Sequence, residues 1–295
     1  MKKNESGSFP HRWFIFVLVL TLLIAFPCTA NAEGEPAITL SDGAVREAGI
    51  LRVGMECAYA PYNWTQSDDS NGAVPIAGSN EYANGYDVMM AKRLADALGC
   101  ELEIYKIKWD GLIMAVNSNK IDAVVAGMST TENRKLSVDF TDVYYKADIV
   151  CLVRADGEYA SAASLEDLRG VSATAQLNTI WYDMIDQITE VDKQPALDTL
   201  ATMIVAVTSG KVDAVVCDIP SAMAAETANS AVKMLTLPDG PFLTAPEDTD
   251  CGIAVKKGNA ALLDGLNAAL AQISEEERAQ IMQAAIDTQP LSQGA

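Results

Sequence analysis

Two rhythms of apolar and polar positions alternate along the chain. Short β-branched runs, among them Ile50 to Met55, Glu101 to Ile107 and Val171 to Ala175, have the two-residue period or continuous apolarity of buried strands. Tyr86 to Gly99, Leu262 to Ile273 and Glu275 to Ile286 instead have the three-to-four-residue spacing of amphipathic helices. One such passage occurs twice. Ile113 to Val125 (IMAVNSNKIDAVV) is echoed by Ile204 to Val216 (IVAVTSGKVDAVV), so that Asp122 recurs 91 residues later as Asp213. Each copy reads as the last turns of an apolar helix, a polar break and a buried strand, which is an αβ unit of a parallel sheet. A period of this size excludes a solenoid and predicts two similar α/β lobes.

The remaining pattern divides the chain. Residues 48–146 with 250–288 are expected to form lobe 1 and residues 147–249 lobe 2, with the chain crossing between them twice. A flexible lead-in is expected at 33–47, a polar loop from Thr65 to Asn84, a return loop from Pro238 to Thr249, and a disordered tail at 289–295. In open α/β sheets ligands gather at the carboxyl ends of the strands. The two copied strands end at Ala126-Gly127-Met128-Ser129 and at Cys217-Asp218, and two such ends face to face would make a cleft.

Several side chains at strand ends carry candidate chemistry. Glu56 and Tyr59 follow the first strand, with Tyr62 and Trp64 read as packing. Trp109 precedes a helix as a staple or a flat wall. Ser129-Thr130-Thr131-Glu132 has the form of a capping box, and Arg134 lies in the first turn that follows. A cation there opposes the helix dipole, so either a carboxylate ligand or a surface aspartate is expected to hold it. Gln176-Leu177-Asn178-Thr179 opens a helix in lobe 2 with capping residues, giving a second N-terminus suited to an anion.

Composition narrows the choice. Forty acidic against 21 basic side chains give a formal charge of −19 over 295 residues, which argues against nucleic-acid partners and anionic membranes. Lys2, Lys3 and Arg12, the apolar run Trp13 to Phe26, and Ala30-Asn31-Ala32 predict a signal peptide over 1–32 and export to the periplasm or exterior. Cys28 offers a lipid anchor as an alternative; Ala25-Phe26-Pro27 lacks the small residue such processing wants, so simple secretion is preferred. No later apolar run reaches the about 20 residues of a membrane span. Cys57, Cys100, Cys151, Cys217 and Cys251 lack C-x-x-C spacing and read as buried small hydrophobes. With His11 as the one histidine, no metal and no cofactor are expected.

A set of segments in fixed order then points to a family. Leu51-Arg52-Val53-Gly54-Met55, Tyr59-Ala60-Pro61-Tyr62, Gly85-Tyr86-Asp87-Val88, Trp109-Asp110-Gly111, Met128-Ser129-Thr130-Thr131-Glu132-Asn133-Arg134, Val138-Asp139-Phe140-Thr141, Val212-Asp213-Ala214-Val215-Val216-Cys217-Asp218 and Gly252-Ile253-Ala254-Val255 occur in that sequence. Over residues 48–286 the chain resembles the polar amino-acid receptors of bacterial ABC importers, the family 3 solute-binding proteins. The resemblance implies a two-lobed α/β clamp of the periplasmic-binding-protein type II, with two hinge crossings and no enzymatic activity. It implies an amino-acid ligand, a membrane permease as partner, no nucleic acid, and a monomer.

Residue by residue, the resemblance places Arg134 on the ligand's α-carboxylate, with Ser129 and the backbone of Asn178 and Thr179. Asp218 and the carbonyl of Gly127 take the α-ammonium, Met128 is counted with that loop, and Tyr59 and Trp109 wall the side chain. Glu56 falls at the acidic position that meets a distal cation, which implies lysine, arginine, ornithine or histidine; glutamine or cystine remains open. Leu177 stands where the family usually has glycine. A dehydratase on the same fold, with Glu56 or Asp218 as acid or base, is the other open reading, against which stands the lack of a nucleophile pair.

Overall fold

The computed structural model describes residues 49–290. The predicted signal peptide with Cys28, the lead-in at 33–47, residue 48 of lobe 1 and residues 291–295 of the expected tail lie outside them.

Two five-stranded sheets form the two lobes of a type II clamp. In the first the order is Glu101–Lys106, Ile50–Met55, Ala123–Val124, Ala254–Lys256, Val138–Phe140. In the second it is Asp192–Lys193, Ser172–Thr174, Ala214–Asp218, Ile149–Arg154, Val232–Leu235. The pattern of directions is the same in both. Three parallel strands, the third of them the copied strand, are followed by an antiparallel fourth and a fifth antiparallel to the fourth. That fourth strand is in each lobe the segment that has just crossed over: Ile149–Arg154 going out, Ala254–Lys256 coming back. The two crossings pair with each other, Tyr145 opposite Cys251 and Lys146 opposite Asp250.

The repeated sequence builds the same local structure twice. The helices Leu112–Asn117 and Leu200–Thr208 end with Asn119 at φ 59° and Gly210 at φ 72°, equivalent positions in the left-handed region. The next amide closes each helix in the same way, Lys120 N–H to the Ala115 carbonyl at 3.0 Å and Lys211 N–H to the Ala206 carbonyl at 2.9 Å. The repeated aspartate then fixes strand register. An Asp122 carboxylate oxygen accepts Arg52 N–H at 2.9 Å and an Asp213 oxygen accepts Ser172 N–H at 3.1 Å, while their own amides donate back to Arg52 and Ser172. Each aspartate thus clamps the start of its strand to the neighbour.

Period-two alternation sorts lobe 2 into two cores. Val150, Leu152, Val215 and Cys217 face the helix Leu200–Thr208 and share a core with lobe 1, while Cys151, Val153, Ala214 and Val216 pack with Trp181 and Leu168 on the other face.

Two expectations need correction. The polar stretch 65–84 is largely structured: Ala58–Tyr59, Asn63–Gln66, Tyr82–Asn84 and Val74–Pro75 form a four-stranded antiparallel sheet. Tyr59, Trp64 and Ala83 of this sheet are buried in the lobe 1 core, while its polar side chains bond one another at the surface, as Gln66 does with Trp64, Asp68 and Ser70. Gln289, expected in the tail, follows the last helix, Glu275–Thr288, and is buried with its amide on the Ala224 carbonyl at 3.2 Å. Among the described residues the five cysteines are free thiols; Cys57, Cys151, Cys217 and Cys251 are buried, as expected of small hydrophobes, and Cys100 is half-buried.

Candidate functional site

The cleft between the lobes holds two connected cavities. The inner one is a narrow space of about 20 Å³, lined by Glu56, Tyr59, Trp109, Gly127, Ser129, Arg134, Gln176 and Thr179 among others. The outer one, about 390 Å³, shares Glu56 and Trp109 and adds Asp110, Asn178, Asp198 and Lys108. The outer space is of a size that suits a small ligand, and the inner one has room for about one water until the lobes part.

Arg134 dominates the inner cavity. It stands in the short helix Glu132–Lys135, whose N-cap is Thr131: the Thr131 hydroxyl accepts the Arg134 amide. The predicted capping box starting at Ser129 therefore does not form. Met128, Ser129 and Thr130 are instead held extended against the return crossing, with Ser129 bridged to Cys251, Thr130 N–H on the Asp250 carbonyl and Gly252 N–H on the Met128 carbonyl. This pairing postpones the helix by two residues. The guanidinium donates to the carbonyls of Ser129 at 2.9 Å and Asn178 at 3.3 Å and lies 5.1 Å from the centre of the Trp109 ring. Among the described residues no carboxylate forms an ion pair with it, and burial draws its pKa down to about 10. An Arg holding only neutral acceptors in a buried cavity is suited to a bidentate anion.

Glu56 leaves the first strand and points across the cleft. Both of its oxygens accept from Gln176 Nε2, at 3.0 and 3.3 Å, and Gln176 also donates to the Asp198 carbonyl. Burial pushes the Glu56 carboxyl up to about 6; the Gln176 bond opposes this, and the nearby Asp198 and Asp110 add to it. In the sequence Gln176 is only the first residue of a turn that opens a helix; the available signal is its place just after the strand Ser172–Thr174, at the carboxyl end where ligands gather.

Asp218 departs from expectation. It is 1% exposed and lines neither cavity. It caps the helix Ile219–Ala228 through the Ser221 amide at 2.9 Å, and its other oxygen accepts from the Ser221 and Tyr59 hydroxyls. Burial raises its pKa. A carboxylate beginning a helix is drawn to the free amides there, which is why it turns inward. Met128 is likewise buried away from both cavities.

The lobe 2 turn is held by its own backbone. Asn178 takes a left-handed φ of 59°, and its carbonyl accepts from Trp109 Nε1 at 3.1 Å as well as from Arg134. Thr179 is N-cap of the helix Ile180–Met184 by position, but its hydroxyl donates back to the Gln176 carbonyl at 2.8 Å and leaves the first amides of that helix without a side-chain cap. Leu177, half out in solvent, lines the outer cavity. Trp181 and Ile180 complete the inner wall, a contribution their apolar helical spacing concealed. Among the described residues no group of three or more metal-binding side chains converges, and no helix is long and apolar enough to cross a membrane.

With this geometry in view, comparison with known proteins gives a consistent result. The L-cystine-binding protein TcyJ of Escherichia coli (strain K12) is 27% identical over 232 residues, covering 79% of this chain and 80% of that protein. The ABC transporter arginine-binding protein 1 of the same strain is 30% identical over 229 residues, covering 77% and 86%. In structure, an ancestral arginine-binding protein bound to arginine superposes with a TM-score of 0.64 at 32% identity, covering 80% of this chain and 97% of that one. These relatives are solute-binding proteins, not enzymes. The family description "Bacterial extracellular solute-binding proteins, family 3" matches residues 51–286, and the chain belongs to that family.

Proposed function

We propose that the protein captures a free amino acid with a cationic side chain between its lobes and hands it to the permease of an ABC importer. The lone Arg134 guanidinium carries this reading. The α-carboxylate docks on Arg134, with the Ser129 hydroxyl and the uncapped amides at Thr179 adding neutral donors. Asp218 and the Gly127 carbonyl receive the α-ammonium once the Tyr59 hydroxyl gives way, and Tyr59 and Trp109 wall the aliphatic stem. The distal charge enters the outer cavity, where Glu56 and Asp110 from one jaw and Asp198 from the other supply three carboxylates. Carboxylates on opposed jaws repel, and a cation between them turns that repulsion into closure. The lobes, 48–146 with 250–288 and 147–249, act as rigid jaws on the paired crossings, in an exported, monomeric protein. Relatives named for cystine and arginine support a long amino acid with a charged far end.

Lys106 and Lys108 in the same outer cavity favour a second reading, a ligand whose far end is itself zwitterionic, as in cystine. Titrating the ligand-stripped protein with L-arginine, its neutral isostere L-citrulline and L-cystine separates the two. Arginine is expected to bind at least about tenfold more tightly than citrulline, with Glu56→Gln and Asp198→Asn narrowing that ratio. Cystine binding most tightly would replace the first reading with the second.

A further inference from the structure

Behind the inner cavity lies a carboxylate that no ligand would touch. Asp87, second residue of the helix Tyr86–Ala97, is wholly shielded from solvent. Two hydrogen-bond chains converge on it. In one, Gly127 N–H donates to the Tyr144 hydroxyl at 2.8 Å, and that hydroxyl donates to Asp87 Oδ1 at 2.6 Å. In the other, Cys57 N–H donates to Asn63 Oδ1 at 2.7 Å, and Asn63 Nδ2 donates to Asp87 Oδ2 at 2.7 Å. Gly127 and Glu56, the neighbour of Cys57, both line the cavity, each beyond the end of a different strand, Ala123–Val124 and Ile50–Met55.

We infer that Asp87 is a positioning residue for ligand capture, holding both strand ends of the lobe 1 site through Tyr144 and Asn63. This rests on the cleft being the amino-acid site. The backbone makes the role necessary: Cys57 and Gly127 sit at φ 55° and 58°, and for Cys57 this is a conformation that a residue with a side chain does not hold unaided. Each chain delivers the amide of one of these two residues to the same carboxylate. Polarity makes the residue type specific. Tyr144 already accepts from Gly127 and must donate onward, and Asn63 already accepts from Cys57 and must donate onward. Asp87 must therefore accept on both oxygens, which an ionised carboxylate does and an amide cannot. Tyr144 also ties this network to the hinge, since its amide donates to the Cys251 carbonyl of the return crossing and its carbonyl accepts from Tyr86.

The same polarity argument supplies the test. Asp87→Asn puts a donor against Tyr144 or Asn63. Combining it with Asn63→Asp restores every link: the new amide accepts from Tyr144 and donates to the new carboxylate, which accepts Cys57 N–H. The full-length protein and these variants are compared by titration with L-arginine and L-cystine, by thermal unfolding, and by amide exchange at Gly127 and Cys57, which needs no ligand. Asp87→Asn is expected to speed exchange at both amides and weaken binding at least about tenfold, and the exchanged pair to recover both. If Asp87→Asn does not fold, Tyr144→Phe serves, exposing Gly127 alone while Cys57 stays protected. Unchanged exchange at both amides, or an exchanged pair that folds yet stays as weak as the single variant, overturns the inference. Normal exchange behaviour in a protein that binds neither amino acid overturns the proposed function and leaves the positioning role standing.

Discussion

The two copies of the αβ unit begin alike and end differently. Their helix ends, their left-handed residues and their register-clamping aspartates coincide position for position, from Ala115 and Ala206 through to Asp122 and Asp213. After the strand they part. The first continues as an extended segment tied to the return crossing and presents Arg134 with neutral partners only. The second passes directly into a ten-residue helix and spends its carboxylate, Asp218, on the helix's own amides and on Tyr59. The shared part is scaffold, and the unmatched charge in the divergent part is what a ligand can use.

The largest effect should come from removing that charge. Arg134→Ala is expected to weaken every amino acid at least about a hundredfold in titration, with little change in melting temperature, because no ion pair is lost from the folded protein. Retained binding would move the carboxylate site elsewhere. Buried acids make a second difference. Glu56 is pushed up to about 6, burial being the main cause. A carboxyl whose folded value is raised binds its proton more tightly when folded, so its contribution is full below about pH 4.5 and lost as pH rises through the folded value. Unfolding midpoints in urea should therefore fall between pH 4.5 and 7.5, and Glu56→Gln should remove about 2 kcal/mol of that fall. A midpoint that rises over this range would contradict the burial argument. The smallest effect tests the shared scaffold. Gly210→Ala should cost about 1 kcal/mol in the left-handed position, whereas Gly210→Asn, copying Asn119, should cost only a few tenths, measured by denaturant unfolding.

The sequence shows this scaffold readily and the site only in part. The repeat is legible because helix end, turn and strand are each written in local residues. Arg134 was also legible, since a cation opposing a helix start asks for a partner. The pairing of 128–130 with 250–252 was not, for it joins segments over a hundred residues apart by backbone bonds that any side chain permits. Asp218 was legible as a strand-end carboxylate but its partners were not: in one dimension it serves a ligand or a helix equally well, and its bonds to Ser221 and Tyr59 depend on the next turn and on the other lobe. Gln176 and Asp87 act through partners on other elements, so their local pattern shows an ordinary turn and an ordinary helix start.

The place of Ala254–Lys256 in the first sheet bears on the order in which the molecule forms. Lobe 2 is drawn from one unbroken stretch, so its contacts can close while the rest of the chain is still being delivered across a membrane. Lobe 1 lacks a strand from the middle of its sheet until residues past 250 arrive, and the loss of entropy in bringing them back over that distance slows the step. The segment carrying Ser129 is fastened to that same late arrival, at Asp250 to Gly252. Binding competence is therefore the last property the chain acquires, and a nascent or truncated protein ending before residue 250 would have one finished lobe and no grip.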